Sequence, residues 1–253
     1  MKKTALKLLF LVVLLLLLVF GVAYAETEQA KNSVLDEPEL KGVNEPFKTE
    51  ENRLSSAVKL IKNMKYDEAL PLLELMAEEQ QDNAEVYYLI GCCHSGMQRY
   101  KKAIKAYKKA IRIKPDYPAA LNNLGASYSA LKRYSKAVKA YKQAILYDPG
   151  EEVYHASLAE DYIELGRYEE AIESFKKAVS LKPEMTRWHL DLGLVYLCIG
   201  DKSSALKQCE VLKELDPYLA NELLKVIKGE SDTIRLFPHP QKKPEPLPTT
   251  KVE

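Results

Sequence analysis

The sequence predicts an all-α fold, a solenoid of about five helix-turn-helix repeats with a C-terminal capping helix. Pro115, Pro149, Pro183 and Pro217 recur every 34 residues, and alanine recurs in the same frame at Ala69, Ala103, Ala137, Ala171 and Ala205. A constant period of roughly 20–50 residues marks supersecondary units that stack and share one continuous core. No Gly-rich phosphate loop, H-E-x-x-H pair or Ser-His-Asp arrangement interrupts the array, so an enzyme is not expected.

The chain opens with Lys2, Lys3 and Lys7, then an apolar run from Leu8 to Val22, then Ala23-Tyr24-Ala25. A positive start, a short apolar core and an A-x-A site read as a secretory signal peptide of bacterial appearance over residues 1–25. A membrane-spanning helix needs about 18 or more apolar residues, so cleavage is expected, with an uncleaved anchor as the alternative. Lysines ahead of the run hold the N-terminus in the cytoplasm. The repeats are then expected outside the inner membrane, periplasmic or secreted, or anchored to it facing the periplasm. Residues 26–49 are polar, carry Pro38 and Pro46, and read as a disordered linker.

Residues 50–83 read as a degenerate first unit, with Ala57, Leu60, Ala69, Leu73 and Met76 in frame but Gln81 where a proline would stand. Full units follow over 84–117, 118–151, 152–185 and 186–217. The clearest runs Leu121, Leu124, Gly125, Tyr128, Ala137, Tyr141, Ala144, Pro149. Its predecessor reads Tyr87, Ile90, Gly91, His94, Ala103, Tyr107, Ala110, Pro115, and its successor His155, Leu158, Ala159, Tyr162, Ala171, Phe175, Ala178, Pro183. The last unit keeps the frame with His189, Leu192, Gly193, Tyr196, Ala205, Cys209, Leu212 and Pro217. This pattern resembles the tetratricopeptide repeat, W-x2-L-G-x2-Y, then A-x3-F, then P.

The spacing carries its own physics. Small residues at Gly91, Gly125, Ala159 and Gly193, and the alanines opposite them, allow two helices to approach to about 8–10 Å. Gly166 and Gly200 fall at the turn between the two helices, where a left-handed cap favours glycine. Each proline stops the second helix, because the residue before proline is pushed out of helical geometry. Residues 218–229 form an amphipathic segment with Leu219, Leu223, Leu224 and Ile227 on one side, expected to cap the last repeat. The remainder, 230–253, has five prolines from Pro238 to Pro248 and reads as a disordered tail with polyproline character.

A net charge of +1 predicts no global attraction to nucleic acid, but the charge is unevenly placed. The second repeat holds eight basic residues against two acidic, and the fourth holds four basic against eight acidic. Metal or haem binding at Cys92-Cys93-His94 is not expected, since consecutive helical side chains diverge by about 100° and cannot converge on one ion. No cofactor is implied. His155 and His189 hold the same slot in successive repeats and are expected to pack, and no disulfide is expected between Cys198 and Cys209.

The resemblance implies a right-handed solenoid whose first helices line a concave peptide-binding groove. It places in that groove Leu54, Val58 and Ile61; Tyr88, Cys92 and Ser95; Asn122, Ala126 and Ser129; Ala156, Glu160 and Ile163; and Leu190, Leu194 and Leu197. The lysine and asparagine pairs with which some relatives grip a C-terminal carboxylate are missing. Apolar ends around a small, polar middle suggest an apolar or amphipathic protein segment as partner. An exported binding scaffold is the first expectation, extended by fold analogy to assembly of an envelope or secretion complex. The alternative is a membrane-tethered adaptor whose basic convex face meets anionic lipid or an acidic partner. N-terminal sequencing of the expressed protein should return Glu26 as its first residue; membrane-extracted protein that retains Met1 would establish the anchor instead.

Overall fold

The computed structural model describes residues 50–230; the leader, the linker and the tail lie outside them. Among the described residues there are eleven helices and no strand. They are α1 Glu50–Lys62, α2 Tyr66–Glu79, α3 Ala84–Gly96, α4 Tyr100–Ile113, α5 Pro118–Ala130, α6 Tyr134–Tyr147, α7 Glu152–Glu164, α8 Tyr168–Leu181, α9 Thr186–Cys198, α10 Lys202–Leu215 and α11 Pro217–Lys228. The first ten form five A/B pairs; each helix packs most heavily on its own partner, and each B helix next on the helix that follows it.

The alanine column explains the pairing. Ala69, Ala103, Ala137, Ala171 and Ala205 are all completely buried. Gly125 makes the reason explicit, because a Cβ there would lie 2.6 Å from the Tyr141 ring on the partner helix. Gly193 departs from the expected contact. Its neighbour is Leu223 of α11, 2.6 Å from an added Cβ, because Cys209 occupies the slot that the larger Tyr141 and Phe175 fill in earlier repeats.

Every A-to-B turn has one construction. Met64, Gln98, Lys132, Gly166 and Gly200, again 34 apart, all have positive φ between 57° and 82°. At each, two backbone bonds close the helix end: Lys132 N–H donates to Ser129 O at 2.7 Å and Arg133 N–H to Tyr128 O at 2.8 Å, with the same pair repeated at the other turns. This is the Schellman motif. Glycine was expected here at Gly166 and Gly200; the same backbone is imposed on Met64, Gln98 and Lys132 because the flanking helices are held in place by their core. At the other end of each repeat, Lys114, Asp148, Lys182 and Asp216 donate to the carbonyls of Ala110, Ala144, Ala178 and Leu212, and proline follows directly.

Buried histidines tie consecutive units together. His155 Nε2 lies 3.0 Å from the carbonyl of Pro149, and His189 Nε2 lies 2.8 Å from that of Pro183. The side chain that takes the usual tryptophan slot thus bonds the proline corner of the preceding repeat. Trp188, beside that slot, is also buried in the main core. In α11 the buried residues are Ala220, Leu223 and Val226, with Leu219, Leu224 and Ile227 half-buried around them, a face rotated slightly from the expected leucine stripe. Its N-terminus is capped by Asp216, whose carboxylate accepts from Tyr218 and Leu219 N–H at 3.1 Å.

Relief of the left-handed strain should be measurable. A non-glycine residue there costs about 1–2 kcal/mol, and glycine returns about 0.5–1 of that as unfolded-state entropy. Lys132→Gly is therefore expected to stabilise by up to about 1 kcal/mol, and Gly166→Ala to destabilise by about 1 kcal/mol, in urea unfolding.

Candidate functional site

The A helices of consecutive repeats touch one another, α1 with α3, α3 with α5 and α5 with α7, while B helices of consecutive repeats are not paired in this way. Closer spacing of A helices puts them on the inner side of the curve. Of the groove residues expected from sequence, Leu54, Val58, Tyr88, Cys92, Asn122, Ser129 and Leu190 are half-buried, and Ala126 and Glu160 are exposed. Ala156, Ile163 and Leu194 are buried, so their side chains offer a ligand little surface. Leu194 is packed with Leu212 and Leu223, and Leu190 and Leu197 pack against the same cluster. The apolar C-terminal end of the groove is thus covered by α11, which stands where the A helix of a sixth repeat would.

Along the middle, side chains interlock across repeats. Asn123 Nδ2 donates to the Tyr88 hydroxyl at 3.3 Å and to Cys92 Sγ at 3.7 Å. The Tyr88 ring meets those of Tyr107 and Tyr117 at centroid distances of 6.0 and 5.0 Å. Burial pushes the Cys92 thiol above its ordinary range and that of Cys93 up to about 12, so both stay protonated and unreactive at neutral pH.

The inner face contains a cleft of about 400 Å³ between α5, α7 and α9. Ser129, Ala130, Tyr134, Glu160, Asp161, Ile163, Glu164, Phe175, Arg187 and Asp191 line it. Three expected groove residues, Ser129, Glu160 and Ile163, come together here. The carboxylates of Asp161, Glu164 and Asp191 were not anticipated, nor were Tyr134 and Arg187. A signal was available in the repeat frame. The slot of Asp161 holds Cys93, Ser127 and Val195 in the other full units, that of Glu160 holds Cys92, Ala126 and Leu194, and that of Glu164 holds Gly96, Ala130 and Cys198. Among the full units only the fourth puts charge at these positions; the degenerate first unit has the exposed Lys59 and Lys62 there.

Asp161 is the most constrained of the group, with 2% of its surface exposed. Its Oδ1 accepts from Ser129 Oγ at 2.6 Å, a bond that joins the A helices of two repeats, while its Oδ2 is buried without a hydrogen-bond partner. Burial raises its pKa from 3.8 to about 6, against the Ser129 hydrogen bond and with help from Glu160 and Glu164. Asp191, also buried, accepts from Arg187 Nε at 2.8 Å, yet its pKa is still raised because desolvation outweighs that partner. Glu160, exposed at the rim, shifts upward through desolvation by the walls and then repulsion from Asp191. The hydroxyl of Tyr134 bonds Glu164, which pushes the Tyr134 pKa up to about 12.

Basic residues on and just after α4 have aromatic partners. Lys109 Nζ lies 4.0 Å from the Tyr87 ring centroid and donates to its hydroxyl at 2.7 Å. Lys108 and Lys114 stand over Tyr128 and Tyr117. Part of the basic excess on α4 therefore serves the fold, through cations resting on aromatic faces. The four cysteines are free thiols, and among the described residues no cluster of His, Cys, Asp and Glu is arranged to hold a metal ion. Among the same residues no helix is long and apolar enough to cross a membrane.

Comparison with known proteins agrees with this architecture. The TPR repeat family profile matches residues 97–132 and 159–200, and the Tetratricopeptide repeat profile matches residues 118–151. Residues 97–151 and 159–200 therefore match tetratricopeptide repeats, a module of protein and peptide binding, and no enzyme family is indicated. No curated protein sequence matches the chain. Among solved structures, MamA from Desulfovibrio magneticus RS-1, residues 41 to the end, is 22% identical over 66% of this chain and 94% of its own, with a TM-score of 0.61. YrrB, described as a TPR protein with an unusual peptide-binding site, is 19% identical over 69% of this chain and 91% of its own, with a TM-score of 0.60. At these identities the likeness is one of fold.

Asp161 should leave a signature in stability. Its folded pKa lies above the unfolded value, so folding favours the protonated form. The resulting stability is complete below pH 3.8 and is lost as pH rises through about 6. Asp161→Asn, which keeps the acceptor for Ser129, is expected to stabilise by about 1–3 kcal/mol above pH 7. Chemical denaturation across pH 4–8 checks this, the gain shrinking toward the acid end.

Proposed function

We propose that this chain is an exported, non-catalytic scaffold that binds a protein segment along the inner face of its A helices, in assembly of an envelope or secretion complex. The supporting observation is the inner face itself. Its A helices adjoin one another from α1 to α7, its middle presents small and polar side chains at Asn122, Ala126 and Ser129, and it opens into the cleft between α5, α7 and α9. An extended or helical segment needs such a surface, with room for its backbone and polar groups to meet it. YrrB, with the same repeat architecture, is described as having a peptide-binding site. Export rests on the N-terminal leader pattern, and assembly of a surface complex on analogy of fold.

The adaptor reading has less support, because Lys108, Lys109 and Lys114 already rest on tyrosine rings of their own array. Two variants separate the faces. Ala126→Arg puts a bulky charge on an exposed position in mid-groove, and a double Lys101→Glu, Lys105→Glu change reverses exposed charge on α4. In pull-downs from envelope extract with the mature array, the first is expected to reduce partner capture at least about tenfold while circular dichroism stays helical. The second should leave capture nearly unchanged at about 0.15 M salt, where exposed charges are largely screened. Loss of capture on the convex reversal alone would overturn groove binding.

A further inference from the structure

Resting on that groove reading, the geometry points to a specific recognition element: we propose that the cleft between α5, α7 and α9 receives the cationic end of a lysine or arginine side chain from the bound segment, with Asp161 at its base and Glu160 and Glu164 at its rim. Four carboxylates border this cleft against one cation, Arg187. That arginine does not complete the site. Its Nε is spent on Asp191, and 71% of its side chain is exposed. Asp161 Oδ2 remains without a partner although the residue is 2% exposed.

A buried carboxylate oxygen with no donor is costly unless a ligand supplies one. The cost is also particular to this unit, since the buried equivalents in the other full units are Cys93, Ser127 and Val195 and the first unit's Lys59 is exposed, and Ser127 satisfies itself on the Asn123 carbonyl of its own helix at 2.8 Å. Neutral side chains therefore serve the fold at this position, and the carboxylate needs another reason. Residues that lower stability at a fixed position are characteristic of binding sites. A divalent metal is a poorer occupant, because among the described residues no three ligating groups are placed to hold an ion. An ammonium or guanidinium needs only one or two oxygens at hydrogen-bond distance. A cleft of about 400 Å³ accommodates one such side chain with its aliphatic stem.

Binding of a cation would hold Asp161 ionised, so affinity should fall as pH drops through about 6. The groups that face Asp161 are Glu160 and Glu164 on its own helix, Tyr134 and Tyr141 from α6, and Arg187 and Asp191 from α9 beside Glu160.

The test uses the mature array and three fluorescein-labelled mixed-sequence nonapeptide pools, identical except for a fixed central lysine, norleucine or glutamate. Fluorescence polarisation at pH 7.5 is expected to show the lysine pool binding at least about tenfold tighter than the norleucine pool, as for a charge-assisted hydrogen bond. Asp161→Asn and Glu160→Gln, separately, should each erase most of that preference while circular dichroism stays helical, and lowering the pH to 5 should do the same to the parent. Equal binding of the lysine and norleucine pools that Ala126→Arg abolishes would overturn the cation pocket and leave the groove reading standing. Lysine preference that survives both carboxylate variants would place the cation elsewhere and overturn the pocket as well. Binding that Ala126→Arg does not weaken, or no binding of any pool, would overturn the groove reading and the pocket together.

Discussion

Everything in this array depends on how closely two helices approach at one small side chain. A helix pair of this size has an apolar stripe on each member and no means of burying both alone. The completely buried alanines at 34-residue intervals let each B helix sit against its A helix, and the aromatic rings of Tyr107, Tyr141 and Phe175 then fill the space beyond. Stacking the next pair buries what remains. The same arithmetic explains α11. The last repeat lacks a successor, and Leu223 reaches over Gly193 to supply the missing surface.

Curvature follows from unequal spacing. A helices of neighbouring repeats touch, so they form the inner wall, and residues that point away from the pair contact become the lining of a groove. What that groove presents is decided unit by unit. Repeats two and three contribute a tyrosine, a thiol and small polar groups that bond one another. Repeat four contributes carboxylates. The fold accepts them because Ser129 of the preceding unit donates to Asp161, yet that single bond leaves half of the carboxylate unpaired. Desolvation then wins over hydrogen bonding in setting its pKa. Such imbalance at one position of an otherwise self-consistent repeat is where stability and binding pull apart.

The basic convex surface shows the complementary case. Eight cations on one repeat suggest a docking face when only the charges are counted. In the structure several lie over tyrosines that the repeat frame brings alongside them. Long aliphatic stems covering apolar surface with the head group in water are an ordinary way to finish a helical layer.

Helix class, number and order were legible in the sequence, because a 34-residue period with small residues at two facing positions leaves one economical packing. Leu121 through Pro149 alone define the unit. The site was half legible. Ser129, Glu160 and Ile163 follow from the frame, and so does the presence of charge in the fourth unit. Which of those charges are buried, and which face one another, depends on contacts between residues about 32 apart in sequence, as between Ser129 and Asp161. The occupancy of the apolar end by α11 is of the same kind, since a leucine stripe states only that a helix has a partner. The sequence by itself determined the repeating unit, since period and side-chain size act within one pair of helices. Tertiary structure alone decided where an ionisable side chain loses its water, since desolvation is set by all the neighbours at once.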